Sequence, residues 1–494
     1  MHSIPDSARE PMSNAAPRRA VNRLQLFALA FGCIIGSAWV VLLGDWLRLA
    51  GPMGSIVGFI AGGLLMTLIG ACYAELTARM PQTGGEFLYS LHIFGPRVAF
   101  VVGWFLTLSL IAIAVFEAIS LAWIVQALVP RLTGAPLYAV GGASITADAI
   151  VIGVTGTVLF TILNCVGVKA AATFQSVVTY GFLIVTGIVI ALGGWLGSPR
   201  NLEPLWSTGS GRPWWHGAAW IFATCAAYLN GFQAIPQAIE ERAPDVSLQA
   251  VGRIMILAVI AAALFYCFVV LATGMAHPWR DLAGKDLATT KAFTDILPGG
   301  ILADIILVAA AASVLKTWNV IVLMAGRLIM AQARHGFLPS AFASLHSRFG
   351  TPAHAILAVG LLNVVGVFAG RAAVLPIITT ASICLVIALA VSCLGLIVVR
   401  RREFHAPVAY RVPGGAPVIY VAFGGALVMT IVALIEAWTR SAHAVPIELM
   451  VMAGWAFVGS CFMLIRRRRR RADGISASQV QERVHHVEHS TRKG

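Results

Sequence analysis

Two charged side chains lie inside long apolar stretches, where they could take part in chemistry. Glu117 falls in an apolar run at about 97–128, and Lys316 in one at about 300–331. A charge in the middle of a membrane helix costs on the order of 3 kcal/mol, so each should face a partner or a cavity. Helix geometry puts both at similar depth. Two interpretations stay open: a structural ion pair, or a role of at least one of them in substrate binding or ion coupling.

Glycines and small polar residues occupy two further apolar stretches, where a plain anchor would carry leucine. They are GCIIGSA at 32–38 and ATCAAYLNG at 223–231. A helix break at membrane depth frees N–H and C=O groups that lipid cannot satisfy, so it persists only beside a cavity or a ligand. Matched breaks in two halves of a chain mark the substrate site of many secondary transporters. We predict discontinuous helices around 35–38 and 226–230, with tight helix packing by glycine as the alternative.

Metal and haem chemistry find no support in the residue spacing. The eight cysteines all fall inside apolar runs without metal-ligand spacing, so we interpret them as small core residues that form no disulfides. The twelve histidines lie in tails, in loops or near the ends of apolar runs, which argues against an intramembrane haem or zinc centre. The sequence predicts no metal site, no cofactor and no enzyme.

The composition identifies the class of protein that must position these residues. Of 494 residues only 11% are charged, whereas 59% are hydrophobic, and the mean hydropathy is +0.84. A soluble globular protein runs near ~25% charged, so the chain is predicted to be a polytopic membrane protein. The net charge of +14 does not indicate nucleic-acid binding, because the positive residues sit between apolar runs.

Twelve apolar runs are long enough to cross a bilayer, which requires about 20 residues each. We expect no removable signal peptide before them, because the N-terminus is polar to about Arg23. They lie at about 24–44, 52–78, 97–128, 149–167, 174–197, 216–236, 250–275, 300–331, 353–369, 374–399, 416–437 and 446–465.

The distribution of Lys and Arg predicts the orientation. An even number of spans puts both termini on one side, where 25 of these residues lie, against 9 in the opposite loops. By the positive-inside rule, both termini are cytoplasmic. The expected organisation is an N-terminal tail at 1–23, a membrane domain at 24–465 and a basic tail at 466–494. The block from Arg466 to Arg471 is interpreted as a stop signal for the last helix, with binding of anionic lipids as the alternative.

Several motifs resemble the amino acid, polyamine and organocation (APC) superfamily of transporters. The resemblance extends over about 24–465, and it implies an all-α fold of two inverted five-helix repeats, helices 1–5 and 6–10, plus two extra helices. The first and sixth helices of that fold are broken. The motifs are GCIIGS at 32–37, YAEL at 73–76, PQTGGEFLY at 81–89, FG at 94–95, GW at 103–104, GF at 231–232, EERAP at 240–244, RLIM at 327–330, GFLP at 336–339, TP at 351–352 and YRVPG at 410–414.

The resemblance also implies a substrate site at the two breaks. Backbone N–H groups in the first break would bind a substrate carboxylate, carbonyl groups in the second break would bind its ammonium, and two aromatic residues would be walls or gates. The residues carried over are Ile35, Gly36, Ser37 and Ala38 for the carboxylate, Ala227, Tyr228 and Asn230 for the ammonium, and Tyr228 and Phe232 for the walls. An open helix N-terminus is an anion site without any arginine.

Three positions depart from the family pattern. Relatives often have glycine at Ala38, an acid at Gln233 and, in proton-coupled members, a lysine near Phe182. The usual groups for proton coupling are therefore missing. Lys316 stands where sodium-coupled proteins of the resembled fold hold an ion between helices 1 and 8, so we predict that it acts as a built-in cation.

The leading hypothesis is a secondary transporter of an amino acid or related amine in the cytoplasmic membrane, working by alternating access. A runner-up is a polyamine or alkylamine carrier, in which Glu117 neutralises a cationic group and the carboxylate site is idle. A non-transporting nutrient sensor is a third possibility. The expected partners are a small-molecule substrate and the lipid bilayer, with no nucleic acid.

Overall fold

A computed structural model describes residues 21–82, 84–140, 143–167, 171–207, 213–237, 239–294, 300–402, 408–441 and 445–472. Most of the two predicted tails, at 1–23 and 466–494, lies outside the described residues. The side chains of 468–472 are outside them as well, so the predicted lipid contact of the block from Arg466 to Arg471 stays a prediction.

The described chain is helical apart from loops and one antiparallel hairpin, β1 (Pro136–Val140) with β2 (Ala143–Thr146). The helices are α1 (Arg23–Ile34), α2 (Ala38–Val41), α3 (Leu43–Arg79), α4 (Gly85–Phe94), α5 (Pro96–Leu128), α6 (Ala147–Val166), α7 (Ala171–Leu196), α8 (Trp215–Tyr228), α9 (Ala234–Gln237), α10 (Leu248–Ala276), α11 (Trp279–Leu282), α12 (Ala288–Phe293), α13 (Ile301–Arg334), α14 (Ala353–Val367), α15 (Val374–Arg402), α16 (Gly415–Arg440) and α17 (Ile447–Ala472).

Ten stretches of the described residues are long and apolar enough to cross a membrane, and each coincides with a predicted span. The other two of the twelve predicted spans, 216–236 and 353–369, are shorter helices. In the first, α8 has 14 residues and is separated from α9 by a break. In the second, α14 has 15 residues, about 22 Å at 1.5 Å per residue, less than the roughly 30 Å of a bilayer core. Twelve complete crossings therefore stay a prediction.

The boundary between the first two predicted spans is a sharp turn inside α3. Gly51 has φ 70° and ψ 178°, outside the helical region, and Pro52 starts the next helical segment. A Cβ atom on Gly51 would lie 2.6 Å from the backbone nitrogen of Ser207, so only glycine fits this turn. α3 is thus two helices joined end to end.

The helices that carry the predicted site residues are neighbours in the bundle. α1 packs against α7, α10 and α13, and α13 packs against α5, while α3 packs against α8 and α10. Outer helices expose apolar side chains such as Trp195 (87% exposed) and Phe457 (71% exposed). Apolar residues on the outside and polar residues on the inside are what a lipid environment favours.

A buried carboxylate joins three segments at the end of the bundle that is predicted to be cytoplasmic. Glu75 at the end of α3 accepts hydrogen bonds from Arg79 (3.0 Å) and from the backbone N–H of Val412 (2.8 Å), and it also pairs with Arg400 of α15. A buried charge is tolerated when several donors satisfy it. This network connects α3, α15 and the segment that leads into α16.

Candidate functional site

The first helix is interrupted inside the predicted stretch. α1 ends at Ile34, Ile35 has extended backbone angles (φ −90°, ψ 98°), and the chain becomes helical again at Ala38. Residues 35–37 form the break. The half-helix that follows starts at Ala38. Only Leu42 separates α2 from α3, and because its backbone angles are near helical (φ −104°, ψ −6°), the helical path continues to the turn at Gly51.

Three side chains of α13 satisfy the carbonyl groups that the first break exposes. Ser313 donates to the carbonyls of Ile35 (2.8 Å) and Gly36 (2.9 Å). Lys316 Nζ donates to the carbonyl of Gly32 at 2.6 Å and to that of Ile35 at 2.5 Å. The Thr317 hydroxyl donates to the same two carbonyls, both at 3.1 Å.

These three residues follow i, i+3, i+4 spacing, so they share one face of α13. All three are buried. The face therefore acts as a unit that holds the unwound segment.

Glu117 of α5 lies on the other side of the same break. Its Oε2 accepts a hydrogen bond from the Ser37 hydroxyl at 2.8 Å, and only 1% of the residue is exposed. Its Oε1 abuts Gly36 so closely that a Cβ atom on this glycine would lie 2.0 Å away. The carboxylate thus fills the space in front of Gly36 and Ser37.

Glu117 and Lys316 bracket the break without touching. Within the described part of the chain, no ion pair within 4.0 Å joins them. Lys316 Nζ instead lies 5.1 Å from the centre of the Phe182 ring. Phe182 is near the position at which proton-coupled members of the family carry a lysine. The direct structural pair, one of the two interpretations from the sequence, is not the arrangement observed.

The second break begins three residues later than predicted. α8 continues through Ala226, Ala227 and Tyr228, and the chain is non-helical from Leu229 until α9 starts at Ala234. The placement at 226–230 was therefore wrong in its first half. These three residues pack in the core at 0%, 8% and 2% exposure, which favours helix. The carbonyls of Ala227 and Tyr228 still belong to the last turn, where helical partners are missing.

Gly231 is the residue that allows the second break. Its φ of 145° is a conformation that residues with a side chain rarely adopt, and its N–H donates to Gln233 Oε1 at 3.0 Å. A Cβ atom on Gly231 would lie 2.5 Å from the backbone nitrogen of Ile34. The two breaks therefore meet backbone to backbone.

A narrow cavity lies between the breaks, and its free volume in this conformation is about 20 Å³, room for about one water molecule. Six of the predicted site residues line the cavity, whereas Ile35, Ser37 and Lys316 are not among the lining residues. Phe232 is fully buried against the ring of Tyr73, with ring centres 5.6 Å apart, and does not reach the cavity. The lining residues are Cys33, Ile34, Gly36, Ala38, Ile113, Phe116, Glu117, Ala227, Tyr228, Asn230, Tyr266, Thr317, Ile321 and Ile378.

Sequence reasoning missed Ser313, Thr317 and the aromatic pair Phe116 and Tyr266. The first two carried a readable signal, because serine and threonine flank Lys316 at helical spacing in an otherwise apolar run. The aromatic residues carried none, since α5 and α10 are apolar on every side. Among the residues that the structure describes, no group of three or more His, Cys, Asp or Glu could hold a metal ion.

Comparison with known proteins connects this arrangement with a family. A family model described as "Amino acid permease" matches residues 21–460. The chain is 28% identical over 411 residues to the methylthioribose transporter of Bacillus subtilis (strain 168), covering 80% of this chain and 84% of the relative.

Two further relatives carry names of amino acid transporters. The branched-chain amino acid permease BcaP of Bacillus subtilis (strain 168) is 26% identical over 435 residues, covering 84% of this chain and 88% of the relative. The chloroplastic cationic amino acid transporter 9 of Arabidopsis thaliana is 28% identical over 357 residues, covering 69% of this chain and 60% of the relative.

Proposed function

The chain belongs to the amino acid permease family of the APC superfamily, and we propose that it moves an amino acid or a related amine across the cytoplasmic membrane by alternating access. The observation that carries this proposal is the buried cavity between two broken helices. Unwound backbone at membrane depth is tolerated where it lines a cavity, and such breaks hold the substrate in many secondary transporters. The named relatives are transporters and not enzymes.

The proposed architecture is the twelve-helix arrangement with inverted repeats and both termini in the cytoplasm. Ten long apolar helices and two shorter ones at the expected places support it. The two breaks fall in the first and sixth predicted spans, which are corresponding positions if helices 1–5 and 6–10 are repeats. Labelling of single cysteines introduced into the loops, from each side of the membrane, tests the orientation.

The substrate within this range is not fixed by the relatives. The relatives are named as transporters of methylthioribose, branched-chain amino acids and cationic amino acids, all at 26–28% identity. Between proteins with so few identical residues, a change in a single contact of the binding site is enough to change the substrate. The runner-up, a polyamine or alkylamine carrier, is favoured by one observation: Glu117 is a negative charge in the cavity wall.

Lys316 is proposed to act as a built-in cation that fixes the unwound part of the first helix. Its ammonium donates to two carbonyls of the break and lies beneath the ring of Phe182. A resident ammonium in this position makes a bound sodium ion unnecessary. Transport is therefore expected to be independent of sodium.

Uptake of radiolabelled amino acids and amines into proteoliposomes, with and without a pH or sodium gradient, tests the function. Accumulation of one class of compound supports a transporter, and insensitivity to sodium supports the role of Lys316. Specific binding without flux would instead identify a nutrient sensor. Strict dependence on sodium would reject the built-in cation while leaving the transport proposal intact.

A further inference from the structure

We infer that the cavity selects primary monoamines that carry an apolar body and no carboxylate, and that Glu117 sets this preference. The inference rests on the proposed transport function and narrows its substrate class. The argument follows from the charge, the aromatic walls and the apolar end of the cavity.

Glu117 occupies the place that the family resemblance gives to the carboxylate of a substrate. Its two oxygens contact the Ser37 hydroxyl, at 2.8 Å, and the face of Gly36. The methyl group of Ala38, where relatives often have glycine, lines the same space. A second carboxylate here would meet a like charge at contact distance, which disfavours the ionised form of both groups.

No compensating cation faces this carboxylate across the cavity. Of the described residues that line the cavity, Glu117 is the one that carries a charge. Lys316 is not among the lining residues, and its ammonium is bound to the carbonyls of Gly32 and Ile35. An entering anion would therefore lose its hydration without gaining an ionic partner, whereas an ammonium gains one.

Aromatic rings complete an environment for an ammonium group. Phe116, Tyr228 and Tyr266 all line the cavity, and the faces of such rings attract cations. The hydroxyl of Tyr266 is buried and makes no hydrogen bond to any described residue. Its oxygen can accept a hydrogen bond from an N–H of the substrate.

Three isoleucines among the lining residues suit the uncharged part of a substrate. Ile113, Ile321 and Ile378 provide an apolar surface. A second ammonium placed there would be buried without a partner, which is costly. This disfavours polyamines and favours a single charge on an alkyl or aryl body.

Matched pairs that differ by one carboxylate test the inference on the unmodified protein. We suggest measuring uptake into proteoliposomes of isoamylamine against leucine and phenethylamine against phenylalanine, with putrescine as the diamine. The expected kcat/KM for each monoamine is at least about tenfold above that of its parent amino acid, a ratio equivalent to one favourable polar contact. Putrescine is expected to be a poorer substrate than isoamylamine.

The possible failures are distinguishable. Equal or better uptake of the amino acids would overturn the inference and leave the proposed transporter standing, and putrescine matching isoamylamine would overturn the restriction to monoamines. Uptake of neither amines nor amino acids would overturn both the inference and the proposed function.

A variant assigns the preference to Glu117. In Glu117→Gln the shape is kept and the charge is lost, so the amine-to-amino-acid ratio is expected to fall at least about tenfold. Glu86→Gln makes the same chemical change in a buried residue outside the cavity lining, and its ratio should equal that of the unmodified protein.

A second measurement covers the case in which Glu117→Gln does not fold. The thermal unfolding midpoint of the unmodified protein should rise with isoamylamine more than with leucine at equal concentration. An unchanged ratio in folded Glu117→Gln, or a larger rise with leucine, would reject the role of this carboxylate.

Discussion

The two helix breaks are held in different ways. At the first break, Ser313, Lys316 and Thr317 of a neighbouring helix make six hydrogen bonds to three carbonyls, and Glu117 contacts the opposite side. At the second break, support comes from the break itself: the Gly231 N–H donates to the side-chain oxygen of Gln233, two residues away.

This difference separates two ways to stabilise unwound backbone in a membrane. The first break depends on polar groups that long-range packing delivers, so its geometry is fixed by α5 and α13. The second depends on a glycine conformation and a local hydrogen bond, so fewer outside contacts restrain it. We therefore expect the first break to be a rigid platform and the second to be the more adjustable side of the cavity.

The largest effect on uptake is expected from a bulky side chain in the first break. Gly36→Val should abolish uptake, because a Cβ atom at this position would lie 2.0 Å from Glu117 Oε1 and would displace the carboxylate that lines the cavity. We expect the protein to stay folded in the membrane. Proteoliposome uptake and gel filtration measure the two parts. Gly424→Val is the matched control, since a Cβ atom there meets nothing within 4 Å. Wild-type uptake by Gly36→Val would show that the site lies elsewhere.

Removing the ammonium should have the next largest effect. Lys316→Met deletes the ammonium that donates to the carbonyls of Gly32 and Ile35, and hydrogen bonds made by a charged group contribute about 1.5–3 kcal/mol. We expect loss of uptake and a lower thermal unfolding midpoint in detergent.

The double variant Glu117→Gln with Lys316→Met distinguishes two roles for these charges. If they were a static pair, neutralising both would restore the function lost in either single variant. Because they contact different sides of the break, the double variant should stay inactive. Recovery of uptake in the double variant, or full activity of Lys316→Met, would reject the built-in cation.

The stability of the protein is expected to depend on pH through a buried carboxyl group near the second break. Phe232 packs on Tyr73, and Tyr73 lies beside Glu86, a residue of α4 that is 1% exposed and whose Oε1 has no described hydrogen-bond partner. Burial raises the pKa of Glu86 from 4.5 to about 7.

The folded state therefore binds this proton more tightly than the unfolded state does, so stability should fall as pH rises from about 4.5 to about 7 and then level off. The total is on the order of 3 kcal/mol at 1.36 kcal/mol per pKa unit. Thermal unfolding of the unmodified protein and of Glu86→Gln measures this change in stability. The midpoints are compared between about pH 5 and about pH 8, the range in which the carboxyl group titrates. Equal slopes for the two proteins would contradict the assignment.

Much of the fold was predictable because membrane helices have a strong local signal. Apolar length predicted all ten long spans, and glycine with small polar residues predicted both breaks. The extent of the second break was not predictable. Ala226 to Tyr228 are compatible with helix or coil, and their packing in the core decides for helix.

The site was only half predictable for a related reason. Glu117 and Lys316 stand out because charges are rare in apolar runs. Their separation was not predictable, since depth along a helix does not give the direction in which a side chain points. Phe116 and Tyr266 are aromatic residues among many, and only the packing of α5 and α10 near the breaks brings them to the cavity.

The smallest effects would test the comparison between the breaks directly. Thr317→Val should lower stability by about 0.5–1.5 kcal/mol, the usual value of one hydrogen bond, because Lys316 still donates to the carbonyls of both Gly32 and Ile35. Gln233→Ala should cost about 1–3 kcal/mol, because it leaves the buried Gly231 N–H without its acceptor. The amide Nε2 of Gln233 has no described hydrogen-bond partner, so its removal adds no further loss. Thermal unfolding midpoints in detergent rank the two variants. A larger cost for Thr317→Val would mean that the first break, despite its several donors, is the one with less redundancy.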